Sequence, residues 1–135
     1  MFFQGQIQRL LSTQEKRWSA MITLISSLII VTPLCGFLFQ CGCDWPWAGL
    51  DSKCNFYKPH IEDKCPWCVS IFMGVLSTGS AIVFGVWVSI FSPYLLSGLS
   101  QVNEVLIRII FGLTVFVGIA FLLAVFAAQW QGYSV

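Results

Sequence analysis

Five of the six cysteines and the only histidine of this 135-residue chain fall within one stretch, residues 41–68. The side chains there that can bind a metal or form a disulfide are Cys41, Cys43, Cys54, His60, Cys65 and Cys68. The sixth cysteine, Cys35, stands shortly before them. Thiols gathered this densely predict a segment that is cross-linked, metal-bound or redox-active.

The first interpretation is a cap stapled by disulfides. The candidates are Cys35, Cys41, Cys43, Cys54, Cys65 and Cys68. They allow more connectivities than their spacing can choose between. A loop of this length has no core of its own, and one bridge across about 25 residues contributes about 3 kcal/mol. Many cysteines in a short loop also suit an oxidising compartment.

The second interpretation is a metal site. One ligand set is Cys54, His60, Cys65 and Cys68, and a weaker one combines Cys41 and Cys43 with His60. Thiolates with an imidazole suit zinc or copper(I). The two sulfurs of the CxxC pair, Cys65 and Cys68, can reach the same ion, which makes this pair a good half-site. The other half of the ligand set is irregular in spacing.

The third interpretation is thiol–disulfide chemistry at Cys65-Pro-Trp-Cys68. We predict that this tetrapeptide opens the second span, where a helix N-terminus favours a reactive thiolate. Proline fits the first turn of such a helix. The tetrapeptide resembles the CxxC of thioredoxin-like and glutaredoxin-like oxidoreductases. Its placement is similar to that in quinone-linked, disulfide-generating membrane proteins of the DsbB and vitamin K epoxide reductase kind.

That resemblance covers four residues and their setting. It implies that Cys65 and Cys68 pass electrons to a quinone, while a loop pair such as Cys41 and Cys54 exchanges with a client protein. A quinone is expected only under this interpretation.

The elements that position these residues are predicted to be membrane helices. The chain is 57% hydrophobic and only 10% charged, whereas a soluble domain carries about 25% charged residues. No acidic, basic or histidine residue occurs in residues 19–40, 66–102 or 109–135. Each of these intervals contains an apolar run of about 20 residues, enough to cross a hydrocarbon core as a helix.

We therefore predict an all-α integral membrane protein that forms a single membrane domain over residues 1–135. A short amphipathic helix over residues 1–18 is expected to lie in the membrane interface. The other segments are a first span at 20–39, a Cys-rich loop at 40–64, a second span at 65–91, a connector at 92–104, a third span at 105–130 and a tail at 131–135.

The spans carry small residues at every fourth position, which lets helix backbones approach closely. They are Ser77, Ala81 and Gly85 in the second span and Ala120, Ala124 and Ala128 in the third. No span holds a histidine or a charged residue at mid-depth. That absence argues against a transporter, a pump or a haem held between these helices.

Basic residues near the span ends predict the orientation. Those on the N-terminal side are Arg9, Lys16, Arg17 and Arg108, and those of the loop are Lys53, Lys58 and Lys64. We expect a bacterial or archaeal plasma membrane, with the N-terminus in the cytoplasm and the Cys-rich loop and the C-terminus outside.

A net charge of +1 with no basic cluster gives no reason to expect a nucleic-acid partner. Three spans without an internal polar pathway leave little machinery for independent catalysis. We predict an accessory subunit of a larger membrane complex, such as a respiratory or metal-dependent oxidoreductase. Its partners are membrane lipid and other integral membrane subunits, and its cap holds disulfides, zinc or copper.

Two alternatives remain open at this stage. One is the thiol–disulfide oxidoreductase that uses Cys65 and Cys68. The other is an assembly factor that delivers copper through Cys41, Cys43, Cys54 and His60.

Overall fold

A computed structural model describes residues 14–62, 64–91 and 101–133, the last range by its backbone alone as far as residue 103. These ranges contain helices α1 (Gln14–Phe39), α2 (Pro66–Val69), α3 (Ile71–Phe91) and α4 (Gln101–Gln131), with a 3-10 turn at Asn55–Tyr57. The predicted all-helical architecture is confirmed.

Three helices are long and apolar enough to cross a membrane: Gln14–Phe39, Ile71–Phe91 and Glu104–Gln131. Most of the predicted interfacial helix, residues 1–13, lies outside the described residues, and Gln14–Trp18 form the start of α1. Much of the predicted connector, residues 92–100, is likewise outside them.

The predicted second span is divided into two helices at Ser70. Pro66 begins α2, and Ser70 then adopts an extended conformation with φ −117° and ψ 100°. Its hydroxyl accepts a hydrogen bond from the Met73 N–H at 3.3 Å, which caps the start of α3. A Cβ on Gly74 would lie 2.5 Å from the Trp67 carbonyl oxygen. The glycine therefore permits α2 to fold closely against the first turn of α3.

The three long helices turn rows of small or hydroxyl side chains toward one another. The buried residues of these rows are Ser19, Thr23 and Ser27 in α1, Ser77, Ala81, Gly85 and Ser89 in α3, and Ala120, Ala124 and Ala128 in α4. Large apolar side chains such as Phe84, Phe121 and Leu122 point outward and are exposed. This is the distribution expected of helices that pack in lipid, because small residues bring backbones together there.

The backbones of α3 and α4 approach each other closely at Gly85 and Gly112. A Cβ on either glycine would lie 2.8 Å from the carbonyl oxygen of the other. Nearby, the Thr23 hydroxyl donates to the Ser89 hydroxyl at 3.2 Å and joins α1 to α3. The position of Gly112 in this contact was not anticipated from the sequence.

Arg108 is buried where α3 ends. Its guanidinium pairs with the Glu104 carboxylate one turn earlier in α4. It also donates to the Ile90 carbonyl oxygen at 3.1 Å. The hydrogen bond from Arg108 satisfies a carbonyl group in the last turn of α3, which has no partner within the helix because the helix ends there. Arg108 therefore holds α3 and α4 together at the end of the bundle opposite the cysteines.

Replacing Gly85 by valine is expected to loosen the bundle. The new side chain would meet backbone on α4, and overpacking of this kind costs about 1–3 kcal/mol. Gly79→Val, in the same helix, is the matched control because nothing lies within 4 Å of its Cβ position. Unfolding in mild detergent should show a clearly lower midpoint for the first variant than for the second. Equal midpoints would show that α3 and α4 do not meet at this glycine.

Candidate metal centre

The loop after α1 folds back onto the end of that helix. Gln40 takes a left-handed φ of 48°, which stops the helix and turns the chain. A Cβ on Gly36 would lie only 1.9 Å from the Cys43 carbonyl oxygen, so the loop backbone rests directly on the last turns of α1. Gly42 has a φ of 88°, and a Cβ at this position would lie 2.5 Å from the Lys53 carbonyl oxygen. Together these glycines bring Cys43 beside the helix that carries Cys35.

Asn55 connects the segments that form the cap, which consists of the loop after α1 together with α2. Its backbone N–H donates to the Cys41 carbonyl at 2.6 Å, and its side-chain oxygen accepts from the Cys65 N–H at 2.9 Å. Its amide nitrogen donates to the Tyr133 hydroxyl at 3.3 Å, which itself donates to the Phe39 carbonyl at 2.8 Å. A single buried amide thus links the backbones of two cysteines to the ends of α1 and α4.

Aromatic rings pack against one another where the cap meets the ends of α1 and α4. Phe39 is almost fully buried and packs edge-to-face against Trp67 and Tyr133, with ring centroids 5.3 and 5.8 Å apart. Gln131 donates to the Pro66 carbonyl at 3.1 Å. These contacts hold α2, and with it Cys65 and Cys68, against the ends of the two long helices.

All six thiols come together in one cluster. The sulfur–sulfur distances include 3.4 Å for the pairs Cys35–Cys65, Cys41–Cys43 and Cys54–Cys68 and 3.7 Å for Cys35–Cys41. All six cysteines belong to the described part of the chain, and all are free thiols. In this structure the thiols hydrogen-bond to one another, and the disulfide cap stays a prediction.

Four triads connect all six sulfurs, and the three sulfurs of each triad lie within 4.8 Å of one another. They are Cys35–Cys43–Cys68, Cys35–Cys41–Cys65, Cys41–Cys43–Cys54 and Cys54–Cys65–Cys68. No pair of cysteines occurs in two triads, so the four triads bring twelve of the fifteen possible sulfur pairs within 4.8 Å. Such a concentration of soft ligand atoms could hold a metal ion.

One side of the cluster is open. Cys41, Cys54 and Cys65 are at most 1% exposed, whereas Cys43 and Cys68 are only half-buried. A groove of about 410 Å³ borders the triad Cys35–Cys43–Cys68 and is walled in part by Thr32 and Trp67. The Thr32 hydroxyl and the Trp67 indole N–H have no hydrogen-bond partner among the described residues. The groove therefore offers a route to the sulfurs.

The environment of the cluster shifts the acidity of its thiols. Burial raises the pKa of Cys54 to about 11. Hydrogen bonds from the neighbouring thiols, above all Cys35, lower the pKa values of Cys41 and Cys68 below the usual thiol range. Protons are thus shared unevenly within the cluster, and a bound metal ion would replace them.

The predicted ligand sets are only partly brought together. Cys54, Cys65 and Cys68 form one triad, but His60 belongs to none and its side chain is exposed. Cys41 and Cys43 join Cys54 rather than the histidine. Cys35, which the sequence suggested only as a disulfide partner, belongs to two triads.

Several residues that build the site were not anticipated from the sequence. Gly36 and Gly42 each follow a cysteine, and a glycine beside a ligand was the signal that the backbone approaches another segment closely there. Asn55 follows Cys54 in the same way. Nothing in the sequence indicates that its side chain bonds the Cys65 backbone ten residues later.

Asn55→Ala is expected to expose the buried thiols. The change leaves the Cys65 N–H without its acceptor, and an unpaired buried group costs about 1–3 kcal/mol. Alkylation of Cys54 and Cys65 in the native protein, followed by mass spectrometry, should be faster than in the wild type. Lys58→Ala, an exposed change in the same loop, is the control. Unchanged protection in the Asn55 variant would show that its amide does not hold the cap.

No protein-family model, curated protein sequence or solved structure matches this chain.

Proposed function

We propose that this chain is a membrane-embedded metal-thiolate protein that serves as an accessory subunit of a larger membrane complex. The observation that carries the proposal is the meeting of six free thiols from α1, the loop and α2 at one end of the helix bundle. Thiolates are soft ligands, and the ions they select are zinc and copper(I).

The surroundings of the thiols support metal binding. Asn55 and the glycines of the loop hold the cysteine backbones in place, so little ordering is left for an ion to impose. The groove beside Cys35, Cys43 and Cys68 gives an ion a path to the otherwise buried sulfurs. A defined ligand set with an entry path is what a metal site requires.

The placement in the membrane is also part of the proposal. Lys16, Arg17 and Arg108 lie at the end of the bundle opposite the thiols, which supports a cytoplasmic N-terminus by the positive-inside rule. The cap and the C-terminus then lie outside a bacterial or archaeal plasma membrane. The outward-facing apolar side chains contact lipid and the integral subunits of the partner complex.

A second candidate is thiol–disulfide exchange through Cys65 and Cys68. The observation that favours it is the position of Cys68, which borders the groove, lies 3.4 Å from the Cys54 sulfur and has a lowered pKa. A quinone would be its electron acceptor. Copper delivery is a variant of the metal proposal, in which Cys41, Cys43 and Cys54, which share a triad, hand their ion to a partner.

Metal analysis of the purified protein tests the main proposal. The chain should be isolated in mild detergent without oxygen from cells supplied with copper and zinc. We expect at least one zinc or copper ion per chain, lost in the double variant Cys54→Ser, Cys65→Ser and retained in His60→Ala. A wild-type protein that carries no metal while all six thiols react with maleimide would contradict the proposal.

The same preparation separates the remaining hypotheses. Co-purification with other membrane subunits is expected for an accessory subunit, and a chain that migrates alone would contradict that role. Accumulation of a mixed disulfide with a client in Cys68→Ser, in a metal-free protein, would favour the oxidoreductase instead.

A further inference from the structure

The short sulfur–sulfur contacts of the cluster have the connectivity of an octahedron. In an octahedron each corner has four neighbours and one opposite corner, and the triads show this pattern. Cys35 shares a triad with every cysteine except Cys54. Likewise, Cys41 shares no triad with Cys68, and Cys43 shares no triad with Cys65. These three pairs correspond to the opposite corners. The four triads therefore correspond to four alternate faces, which meet at corners and have no edge in common.

This arrangement does not suit a tetrahedral ion. Four sulfurs around one zinc must all be neighbours, about 3.8 Å apart for bonds of about 2.3 Å. Any four corners of an octahedron include an opposite pair. Among the six sulfurs, all of which the structure describes, none of the four triads contains an opposite pair. The cluster is therefore built for ions that take three sulfurs each.

Copper(I) is such an ion. It is soft, selects thiolates and accepts three of them in a plane. Bonds of about 2.3 Å place three such sulfurs about 4.0 Å apart. The observed separations of 3.4 and 3.7 Å are slightly shorter than that value, and the remaining triad edges lie within 4.8 Å.

We infer that the cap binds four copper(I) ions as one cluster, one ion on each of four alternate faces, with every thiolate bridging two ions. The inference rests on the proposed metal-binding function and names its ion and its stoichiometry. An octahedron offers two such sets of faces, and the twelve sulfur pairs of the triads supply the edges of both.

Loading this cluster involves no oxidation or reduction. Six thiols release six protons, and six thiolates with four monovalent ions leave a net charge of −2 on the cluster. The Lys64 ammonium, which donates to the Asn55 carbonyl at 3.3 Å, places a positive charge over the cap. Ions enter at the face Cys35–Cys43–Cys68, which borders the groove.

Titration of the reduced, detergent-purified chain with copper(I) without oxygen tests the inference. The ion is supplied as its acetonitrile complex in competition with bicinchoninate, and native mass spectrometry counts the ions bound. We expect the apoprotein to convert directly to a species with four copper ions, with little of the intermediate forms. Saturation at one or two ions would overturn the cluster and leave the metal-binding function standing. Failure to bind any copper or zinc would overturn both.

A competing titration with zinc(II) distinguishes the two metals. Copper(I) is expected to displace any zinc and still reach four ions per chain. Two zinc ions that resist displacement would show that the sulfurs rearrange into tetrahedral sites, which overturns the inference.

Removal of one corner provides a further test. Cys43→Ser, at a half-buried corner, should lower the copper stoichiometry from four to two, because each thiolate of the inferred cluster bridges two ions. His60→Ala should still bind four. Circular dichroism verifies that the Cys43 variant retains its helices. A folded Cys43→Ser protein that binds four copper ions would overturn the bridging arrangement.

Discussion

Replacing Gly36 by alanine is expected to abolish metal binding by the cap. The added methyl group would lie 1.9 Å from the Cys43 carbonyl oxygen, which is backbone and cannot rotate away. The loop must then lift off the end of α1, carrying Cys41 and Cys43 away from Cys35. Overpacking usually costs about 1–3 kcal/mol, and a clash with backbone falls at the upper end of that range or beyond it. The metal content per chain and the unfolding midpoint in detergent are the two measurements.

Gly79→Ala is the control for this prediction. It makes the same chemical change in a membrane helix at a position with no atom within 4 Å, and it should leave both measurements unchanged or slightly improved. If Gly36→Ala kept its full metal content and stability, the loop would not lie on α1 as the structure has it.

Cys35→Ser is expected to remove at least half of the bound metal, although this residue lies within a membrane helix rather than in the loop. Its sulfur belongs to two of the four triads, and a hydroxyl is a poor ligand for soft ions. Serine has nearly the same shape, so the helix and the cap should remain folded. Elemental analysis beside circular dichroism separates lost metal from lost structure.

The histidine variant is the matched comparison for Cys35. His60→Ala should keep all of its metal because the imidazole is exposed and belongs to no triad. The opposite pair of results, with metal lost on His60→Ala and kept on Cys35→Ser, would favour the Cys3His set that the loop sequence suggested.

The two substitutions examine different aspects of the site. Gly36 positions the loop against α1 and binds nothing itself, whereas Cys35 supplies a ligand atom. The Gly36 variant should therefore lose stability and metal together. The Cys35 variant should lose metal with little loss of helical structure, which separates positioning from ligation.

The membrane architecture follows from local properties of the sequence. A run of about 20 apolar residues must form a helix in lipid, because its backbone has no other partners there. Length and composition were therefore enough to predict three spans. Finer features of the helices could not be predicted from the sequence because they depend on contacts between side chains and backbone. The break between α2 and α3 at Ser70, for example, follows from the hydrogen bond of the Ser70 hydroxyl and from the fit of Gly74 against Trp67.

For the cysteines, too, some properties follow from the sequence and others only from the structure. Their number and crowding already predicted that thiol chemistry takes place at one end of the helices. Which thiols meet was decided by the tertiary fold, since Cys35 reaches the others only because a glycine lets the loop lie on its helix. His60 sits among the cysteines in the sequence and outside their triads in space. Coordination depends on distances of a few ångströms between sulfurs, and those distances arise only when the three segments pack together.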